Sequence, residues 1–155
     1  MATESKTDLK PETIRAVQEL IQVNIDSRDG FRQAANDLED MTLSTLCQSL
    51  AHQREEQANE LARFVEWNQE KPNREGSYAA ALHRSWMTIR ESLSSNNLYA
   101  VLAEAERGED QIKSAYEDAL RDTAGSAMND VLTRQYAQVK AAHDRIRDLR
   151  DEHKS

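Results

Sequence analysis

The sequence predicts an all-α protein, an up-down four-helix bundle with an additional crossover helix between the second and third long helices. Three observations predict this fold. The 155 residues include only 4 glycines and 2 prolines, too few chain breakers for the many turns of an all-β protein. Four long segments repeat apolar residues at helical spacing. The remaining positions are rich in Glu, Arg and Gln, which favour helices.

Size, charge and cysteine content restrict the class of protein. A chain of this length is expected to form one domain over residues 1–155, with residues 1–9 and 151–155 frayed. The formal net charge of −8 opposes binding to nucleic acid, because phosphate contacts require clustered Lys and Arg. The single cysteine, Cys47, excludes an intramolecular disulfide and fits a reducing compartment.

The chain also has no stretch of about 18 apolar residues, so no membrane segment is expected. Its first 13 residues are polar and lack the apolar run of a signal peptide. We therefore expect a cytoplasmic protein.

The first long helix is predicted to begin at Pro11, because proline fits the first turn of a helix. Asn24 and Arg28 interrupt its apolar stripe near the middle. The stripe itself consists of Ile14, Val17, Ile21, Ile25, Phe31, Ala35 and Leu38.

The second long helix is predicted to follow a short connection at residues 40–42, with Thr42 as its N-cap. Arg54 and Gln57 fill the middle turn of its apolar face, and the helix ends before Pro72 because a residue preceding proline disfavours helix. The apolar face consists of Leu43, Leu46, Cys47, Leu50, Ala58, Leu61 and Val65.

The third long helix is predicted over residues 98–120, after the crossover helix at residues 78–93 and an N-cap at Asn97. Its apolar stripe consists of Leu98, Leu102, Ala105, Ile112, Tyr116 and Ala119. Glu109 stands in the centre of this stripe, beside Gly108. A carboxylate there costs several kcal/mol unless it has a partner.

The fourth long helix is predicted to begin near Ser126, which can serve as its N-cap. Gln135 lies on the central face of this helix, and His143 lies at the edge of the apolar stripe. The stripe consists of Met128, Leu132, Val139, Ala142, Ile146 and Leu149.

The polar interruptions fall near the midpoint of each long helix. In an antiparallel bundle the midpoints meet, so polar side chains at one level can satisfy one another. The sequence therefore predicts a buried polar layer across the middle of an apolar bundle. Its expected members are Arg28, Arg54, Gln57, Glu109, Gln135 and His143.

Helical bundles place metals and cofactors at such a layer. The two-metal pattern requires a Glu from each of two helices and Glu-x-x-His from each of the other two. Here Lys140 stands three residues before His143, and His52 precedes the nearest glutamates instead of following them. A structural Arg–Glu–His network is therefore favoured over a metal site. The candidate ligands for the metal alternative are Glu55, Glu56, Glu106, Glu109 and His143.

Four segments carry a resemblance to a known family. They are GFRQAANDLED (30–40), GSYAAALHRSWMTIRESLS (76–94), LAEAERGEDQIKSAYEDAL (102–120) and QYAQVKAAHDRIRDLRD (135–151). Together they resemble a bacterial family of four-helix-bundle proteins of unknown function in the ferritin-like superfamily. The resemblance implies a ferritin-like bundle whose crossover carries the extra helix, and it implies no established reaction.

Two functions remain open from the sequence. The first is a non-enzymatic structural or interaction protein that associates with itself or with a protein partner. No catalytic residue and no cofactor is predicted for it. The alternative is a ferritin-like redox or storage protein that binds iron or manganese at a degenerate carboxylate site.

Overall fold

The structure is a computed structural model that describes residues 4–75, 91 and 97–154. It contains four long helices: α1 (Pro11–Asp37), α2 (Met41–Trp67), α3 (Leu98–Asp122) and α4 (Asn129–Glu152). No strand occurs in this part of the chain, where the nearest feature is an isolated bridge between Ser5 and Asp8. The prediction of an all-α protein with four long helices is confirmed.

The helix ends show which capping predictions were correct. Asn97 caps α3 as predicted, since its side chain accepts a hydrogen bond from Ala100 N at 3.1 Å. The cap of α2 is Asp40 instead of Thr42, because the Asp40 carboxylate accepts from Leu43 N at 2.9 Å and starts the helix earlier. Ser126 does not cap α4, which begins three residues later with Met128 at its N-cap position.

Two apolar clusters fill the two ends of the bundle, and they fix the direction of each helix. One cluster joins the N-terminal halves of α1 and α4 to the C-terminal halves of α2 and α3, with members such as Val17, Val65, Tyr116 and Leu132. The other joins the opposite halves, with members such as Phe31, Leu50, Val101 and Ile146. Helices α1 and α4 therefore run in one direction, and α2 and α3 run in the other.

This order differs from a simple up-down-up-down bundle. Helices α2 and α3 are the neighbouring long helices in sequence, yet they are parallel, so the connection between them starts and finishes at opposite ends of the bundle. The length of the bundle that this connection must cover is about 40 Å, the length of the 27-residue helix α2. The 30 residues from 68 to 97 can span that distance. The additional helix predicted at residues 78–93 lies outside the described residues, except for Glu91.

The packing of the helices defines which pairs are neighbours and which pairs, α1–α4 and α2–α3, lie on the diagonals. Helix α1 packs extensively on α2, α3 packs on α4, and α1 also contacts α3. Polar side chains join α2 to α4, including a hydrogen bond from Gln57 Nε2 to Gln138 Oε1 at 2.9 Å. The pair α2 and α3 therefore faces each other across the middle of the bundle.

The described residues of the N-terminal segment are held against the bundle, which corrects the expectation that they fray. Leu9 is buried, and its N–H donates to Asn68 Oδ1 at 2.8 Å. Glu4 Oε1 accepts hydrogen bonds from Ser126 Oγ at 2.6 Å and from Ala127 N at 3.0 Å. These contacts attach residues 4–10 to the ends of α2 and α4. At the other terminus, α4 continues to Glu152, beyond the predicted start of fraying at residue 151.

Candidate functional site

A buried ion pair occupies the centre of the bundle. Arg54 Nη2 donates to Glu109 Oε2 at 2.5 Å, and the two side chains are 0% and 1% exposed. The pair spans the diagonal from α2 to α3. Removal of two charges from water is costly, and their mutual attraction offsets that cost only when the contact geometry is good. The pair therefore accounts for the carboxylate that the sequence placed within an apolar stripe.

Several polar atoms of this ion pair have no hydrogen-bond partner among the described residues. They are Arg54 Nε, Arg54 Nη1 and Glu109 Oε1. The guanidinium Cζ lies 5.9 Å from the centre of the Phe31 ring, where a cation–π attraction compensates part of its charge. The ion pair is thus electrically balanced but not fully satisfied in hydrogen bonds.

The buried environment alters the acidity of two neighbouring groups. Burial raises the pKa of the Glu109 carboxyl, and the charge and hydrogen bond of Arg54 offset part of that rise. Burial also raises the pKa of the Cys47 thiol to about 12, with a further contribution from the negative charge of Glu109. Cys47 is therefore a protonated thiol at neutral pH and is unsuited to act as a nucleophile.

A second group of polar side chains links all four helices. Asn24 Nδ2 of α1 donates to the Tyr116 hydroxyl at 2.8 Å, and that hydroxyl donates to Gln135 Oε1 of α4 at 2.6 Å. Gln135 Nε2 in turn donates to Glu60 Oε1 of α2 at 2.7 Å. On the surface side, Arg134 Nη2 donates to Glu60 Oε2 at 2.5 Å. The result is a continuous chain of hydrogen bonds through the bundle.

The polar side chains therefore occupy two levels, which differs from the single layer that the sequence predicted. Glu109 and Tyr116 are seven residues apart on α3, which corresponds to about 10 Å along the helix axis. The ion pair defines one level, and the chain from Asn24 to Glu60 defines the other. The level of the ion pair lies between the two apolar clusters, and the level of Tyr116 lies within the cluster that contains Val17 and Leu132.

The predicted members of the layer do not all share one environment. Arg54, Gln57, Glu109, Gln135 and His143 are buried. Arg28 is not, which corrects its placement in the layer: its guanidinium pairs with Asp29 at 2.9 Å and with Glu55 at 3.6 Å near the surface. Arg28 lies one turn beyond Asn24, at the edge of α1 beside α2, where its guanidinium reaches Glu55 near the surface.

His143 lies apart from Glu109 in a cluster between α3 and α4. Its Nε2 is 2.6 Å from Asp110 Oδ1 and 3.9 Å from Glu106 Oε1. Its Nδ1 is 3.1 Å from Asp144 Oδ1. Glu106 also accepts a hydrogen bond from Arg150 Nη1. This cluster brings together two of the predicted metal candidates, and Asp110 takes the place that the sequence had given to Glu109.

The other metal candidates from the sequence are paired elsewhere. Glu55 interacts with Arg28 and with Arg32, whose Nη2 lies 3.0 Å from Glu55 Oε2. Glu56 pairs with His52 at 2.5 Å on the exposed side of α2. The five candidates therefore do not converge on one point.

The central residues do not fit a two-metal carboxylate centre. Such a centre requires several carboxylates and two histidines that point into the same space. At the level of the ion pair, an arginine occupies that space, and its charge opposes the binding of cations. At the second level, Tyr116 and two amides occupy the centre, with Glu60 at the edge.

Sequence reasoning favoured a solvated Asp110 over one in a metal or acid/base cluster with Glu106 and Glu109, and it missed the polar role of Tyr116. Asp110 is four residues after Glu106, a spacing that places both carboxylates on one side of α3 and was visible in the sequence. Tyr116 stands on the apolar stripe, where its ring belongs, and only the positions of Asn24 and Gln135 reveal the role of its hydroxyl.

Comparisons with known proteins give a family but no activity. The model of a family described as a domain of unknown function, DUF2383, matches residues 12–122, from the first turn of α1 to the end of α3. No curated protein sequence matches the chain. Within the described residues, no helix combines the length and the apolar character that a membrane span requires.

Proposed function

Since the chain belongs to the DUF2383 family, a domain of unknown function, we propose its role from the geometry of its centre. We infer a ferritin-like bundle that acts as a non-enzymatic structural or interaction protein. The ion pair between Arg54 and Glu109 carries this proposal. It occupies the core of the bundle, the region in which ferritin-like enzymes hold their metals, and it uses the central carboxylate for a structural contact.

The direction of the helices supports the ferritin-like assignment. Bundles of that kind have one long crossover, whereas simple up-down bundles have short loops throughout. Here α2 and α3 are parallel, and the connection between them changes ends. This arrangement is the one expected if the chain shares the ferritin-like topology.

The alternative, an iron or manganese redox or storage protein, has weaker support. Of its candidate ligands, Glu55, Glu56 and Glu109 are engaged with basic side chains. Only Glu106 and His143 remain close to each other. A degenerate two-metal site would need the Arg54 guanidinium to leave its buried position.

A structural role places the action of the protein on its outer surface. We propose a second copy or another protein as the partner. Nucleic acid is disfavoured as a partner because the net charge of −8 repels phosphates.

The decisive experiment measures metal binding and stability in the same set of variants. Wild-type protein, Glu109→Gln and Asp110→Asn are purified without chelator, analysed for iron and manganese, and titrated anaerobically with Fe²⁺. We expect no pair of metal ions that depends on Glu109. We also expect Glu109→Gln to lower the free energy of unfolding, because it removes the charge that balances Arg54.

The opposite result has a clear form. Two metal ions per chain that are lost in Glu109→Gln, but retained in Asp110→Asn, would show that the central level is a metal centre. The structural proposal would then be wrong.

A further inference from the structure

We propose that Glu106, Asp110 and His143 form a binding site for one divalent transition-metal ion between α3 and α4. The site is distinct from the central level of the bundle. Its proposed role is to join the two helices, and no reaction is assigned to it. It therefore goes beyond the structural role proposed above.

The three side chains converge from two helices. Glu106 and Asp110 are one turn apart on α3, and His143 comes from the antiparallel helix α4. One donor atom from each residue lies within 4.8 Å of the other two. The donor set is one imidazole nitrogen and two carboxylate oxygens, which suits first-row divalent ions such as Zn²⁺, Mn²⁺ or Co²⁺.

The distances between donors are close to those that an ion would impose. Zinc bonds of about 2.1 Å in a tetrahedral arrangement separate neighbouring donors by about 3.4 Å. His143 Nε2 lies 2.6 Å from Asp110 Oδ1 and 3.9 Å from Glu106 Oε1, one value shorter and one longer than this. Rotations of the Asp110 and Glu106 side chains are the adjustment that would bring both distances to this value.

Neighbouring residues hold the donors in position. Asp144 Oδ1 lies 3.1 Å from His143 Nδ1, so it can accept the proton on that nitrogen and leave Nε2 available for a metal. Carboxylate partners of this kind orient metal-binding histidines in many proteins. Arg150 donates to Glu106 Oε2, which leaves Oε1 as the oxygen on the side of His143.

The environment of the cluster also favours a cation. The side chain of His143 is 11% exposed, whereas that of Asp110 is 55% exposed and provides a route from solvent. Glu109, the residue before Asp110, is buried, and its Oε1 has no hydrogen-bond partner among the described residues. The carboxylates of Glu106, Asp110 and Asp144 all lie within 4 Å of the His143 ring nitrogens, and their negative charges favour a bound cation.

The test is a titration of the full chain, without a histidine tag, with Co²⁺ and then Zn²⁺ as competitor. We expect one Co²⁺ per chain with an absorption spectrum typical of nitrogen and oxygen ligands, and displacement by Zn²⁺. Zn²⁺ should also raise the melting temperature in a concentration-dependent way, since it binds the folded state. Asp110→Asn should weaken binding at least tenfold, and Asp144→Asn should weaken it by about 10- to 100-fold.

The matched control is His52→Ala. His52 also pairs with a carboxylate, Glu56, but it lies on the exposed side of α2, and this is its one carboxylate partner among the described residues. Its removal should leave Co²⁺ affinity unchanged. Asp110→Asn is preferred to His143→Ala as the main variant because the Asp110 side chain is exposed, so its substitution leaves the core intact.

Two results would overturn the proposal. One is equal Co²⁺ affinity in wild type and Asp110→Asn, and the other is loss of binding in His52→Ala alone. Neither result affects the structural role of the central ion pair, which is tested by Glu109→Gln. The two proposals therefore fail independently.

Discussion

The hydroxyl of Tyr116 donates to Gln135 Oε1 at 2.6 Å in the interior between α3 and α4. The same hydroxyl accepts a hydrogen bond from Asn24 Nδ2, so one phenol connects three helices. Because its ring belongs to an apolar cluster, Tyr116 serves both the core and the polar chain. Because Asn24, Tyr116 and Gln135 are buried, each of their hydrogen bonds is costly to lose.

Tyr116→Phe tests the importance of this contact. The change keeps the ring and removes the hydroxyl, which leaves Gln135 Oε1 and one hydrogen of Asn24 without their partner. We expect the free energy of unfolding to fall by about 1–3 kcal/mol, measured by urea denaturation. Tyr136→Phe is the matched control, since its hydroxyl donates to Glu117 at the surface and its loss should cost less than about 1 kcal/mol. Equal losses in the two variants would contradict the assignment.

Glu109→Ala tests the central ion pair. The variant leaves the Arg54 charge buried without a counter-ion, so we expect a loss of about 3–5 kcal/mol in the free energy of unfolding. Asp118→Ala is the control on the same helix, because Asp118 pairs with Arg121 at 2.6 Å and both side chains are exposed to solvent. That exposed pair should contribute less than about 1 kcal/mol. The double variant Arg54→Met with Glu109→Leu should recover most of the loss, which would identify unbalanced charge as its cause.

Arg54→Met should make stability depend on pH. Burial raises the pKa of Glu109, and the variant removes the group that offsets this rise. The stabilising effect of a raised carboxyl pKa is fully present below the unfolded value of 4.5 and is lost as pH rises through the folded value. We therefore expect Arg54→Met to be more stable at pH 5 than at pH 8 by a larger margin than wild type. Parallel urea curves for the two proteins at both pH values would refute this.

Cys47 should react slowly with alkylating reagents in the folded protein. Its pKa of about 12, against 9.0 for a free thiol, reduces the thiolate fraction at pH 8 by about a thousandfold. Iodoacetamide labelling followed by mass spectrometry should show rapid modification in urea and little in native buffer. Glu109→Gln should accelerate the native reaction only slightly, since burial is the larger cause. Rapid native labelling would show that Cys47 is accessible and ionised.

Glu4 should hold the N-terminal segment in a pH-dependent way. Burial opposes its ionisation, but hydrogen bonds from Ser126, Thr13 and the backbone of Lys10 and Ala127 lower its pKa from 4.5 to about 2. A lowered pKa contributes stability above the unfolded value of 4.5, and that contribution disappears as pH falls through about 2. We expect the Leu9 and Ala127 amides to exchange faster with deuterium near pH 2 than the intrinsic pH dependence explains.

Glu4→Gln provides the corresponding variant at neutral pH. It retains the shape of the side chain and removes its charge, so Leu9 and Ala127 should lose exchange protection at pH 7. Thr7→Ala is the control in the same segment, since the exposed Thr7 hydroxyl lies 3.5 Å from the exposed Ser5 hydroxyl. Equal protection in wild type and Glu4→Gln would show that Leu9 alone anchors the segment.

The helices and the burial of Glu109 could be predicted because they depend on local spacing. Apolar residues at intervals of three and four define each helix, and a polar residue on the same stripe must face inward. Glu109 and Gln135 occupy such positions and are buried. Arg28 does not occupy such a position. It is rotated about the helix axis relative to Asn24, far enough to lie at the edge of the buried face, and apolar spacing alone does not distinguish the two orientations.

The direction of α3 and the partner of His143 depend on longer-range geometry. Apolar spacing is the same for a helix that runs up or down, so the parallel arrangement of α2 and α3 leaves no mark in the stripes. The pairing of His143 with Asp110 follows from the relative heights of α3 and α4. The packing of the two helices sets those heights, and it brings Asp110, the neighbour of Glu109, to His143.

The diagonal contact between Arg54 and Glu109 also has a consequence for how the chain reaches its fold. An apolar bundle tolerates sliding of one helix past another by a full turn, because leucines and alanines can exchange neighbours. A shift of α2 by one turn relative to α3 would separate the Arg54 and Glu109 charges by a further distance of about 5 Å along the helix axis and leave both buried without a partner. The ion pair therefore favours the native register of the two helices and disfavours bundles in which one helix has shifted during folding.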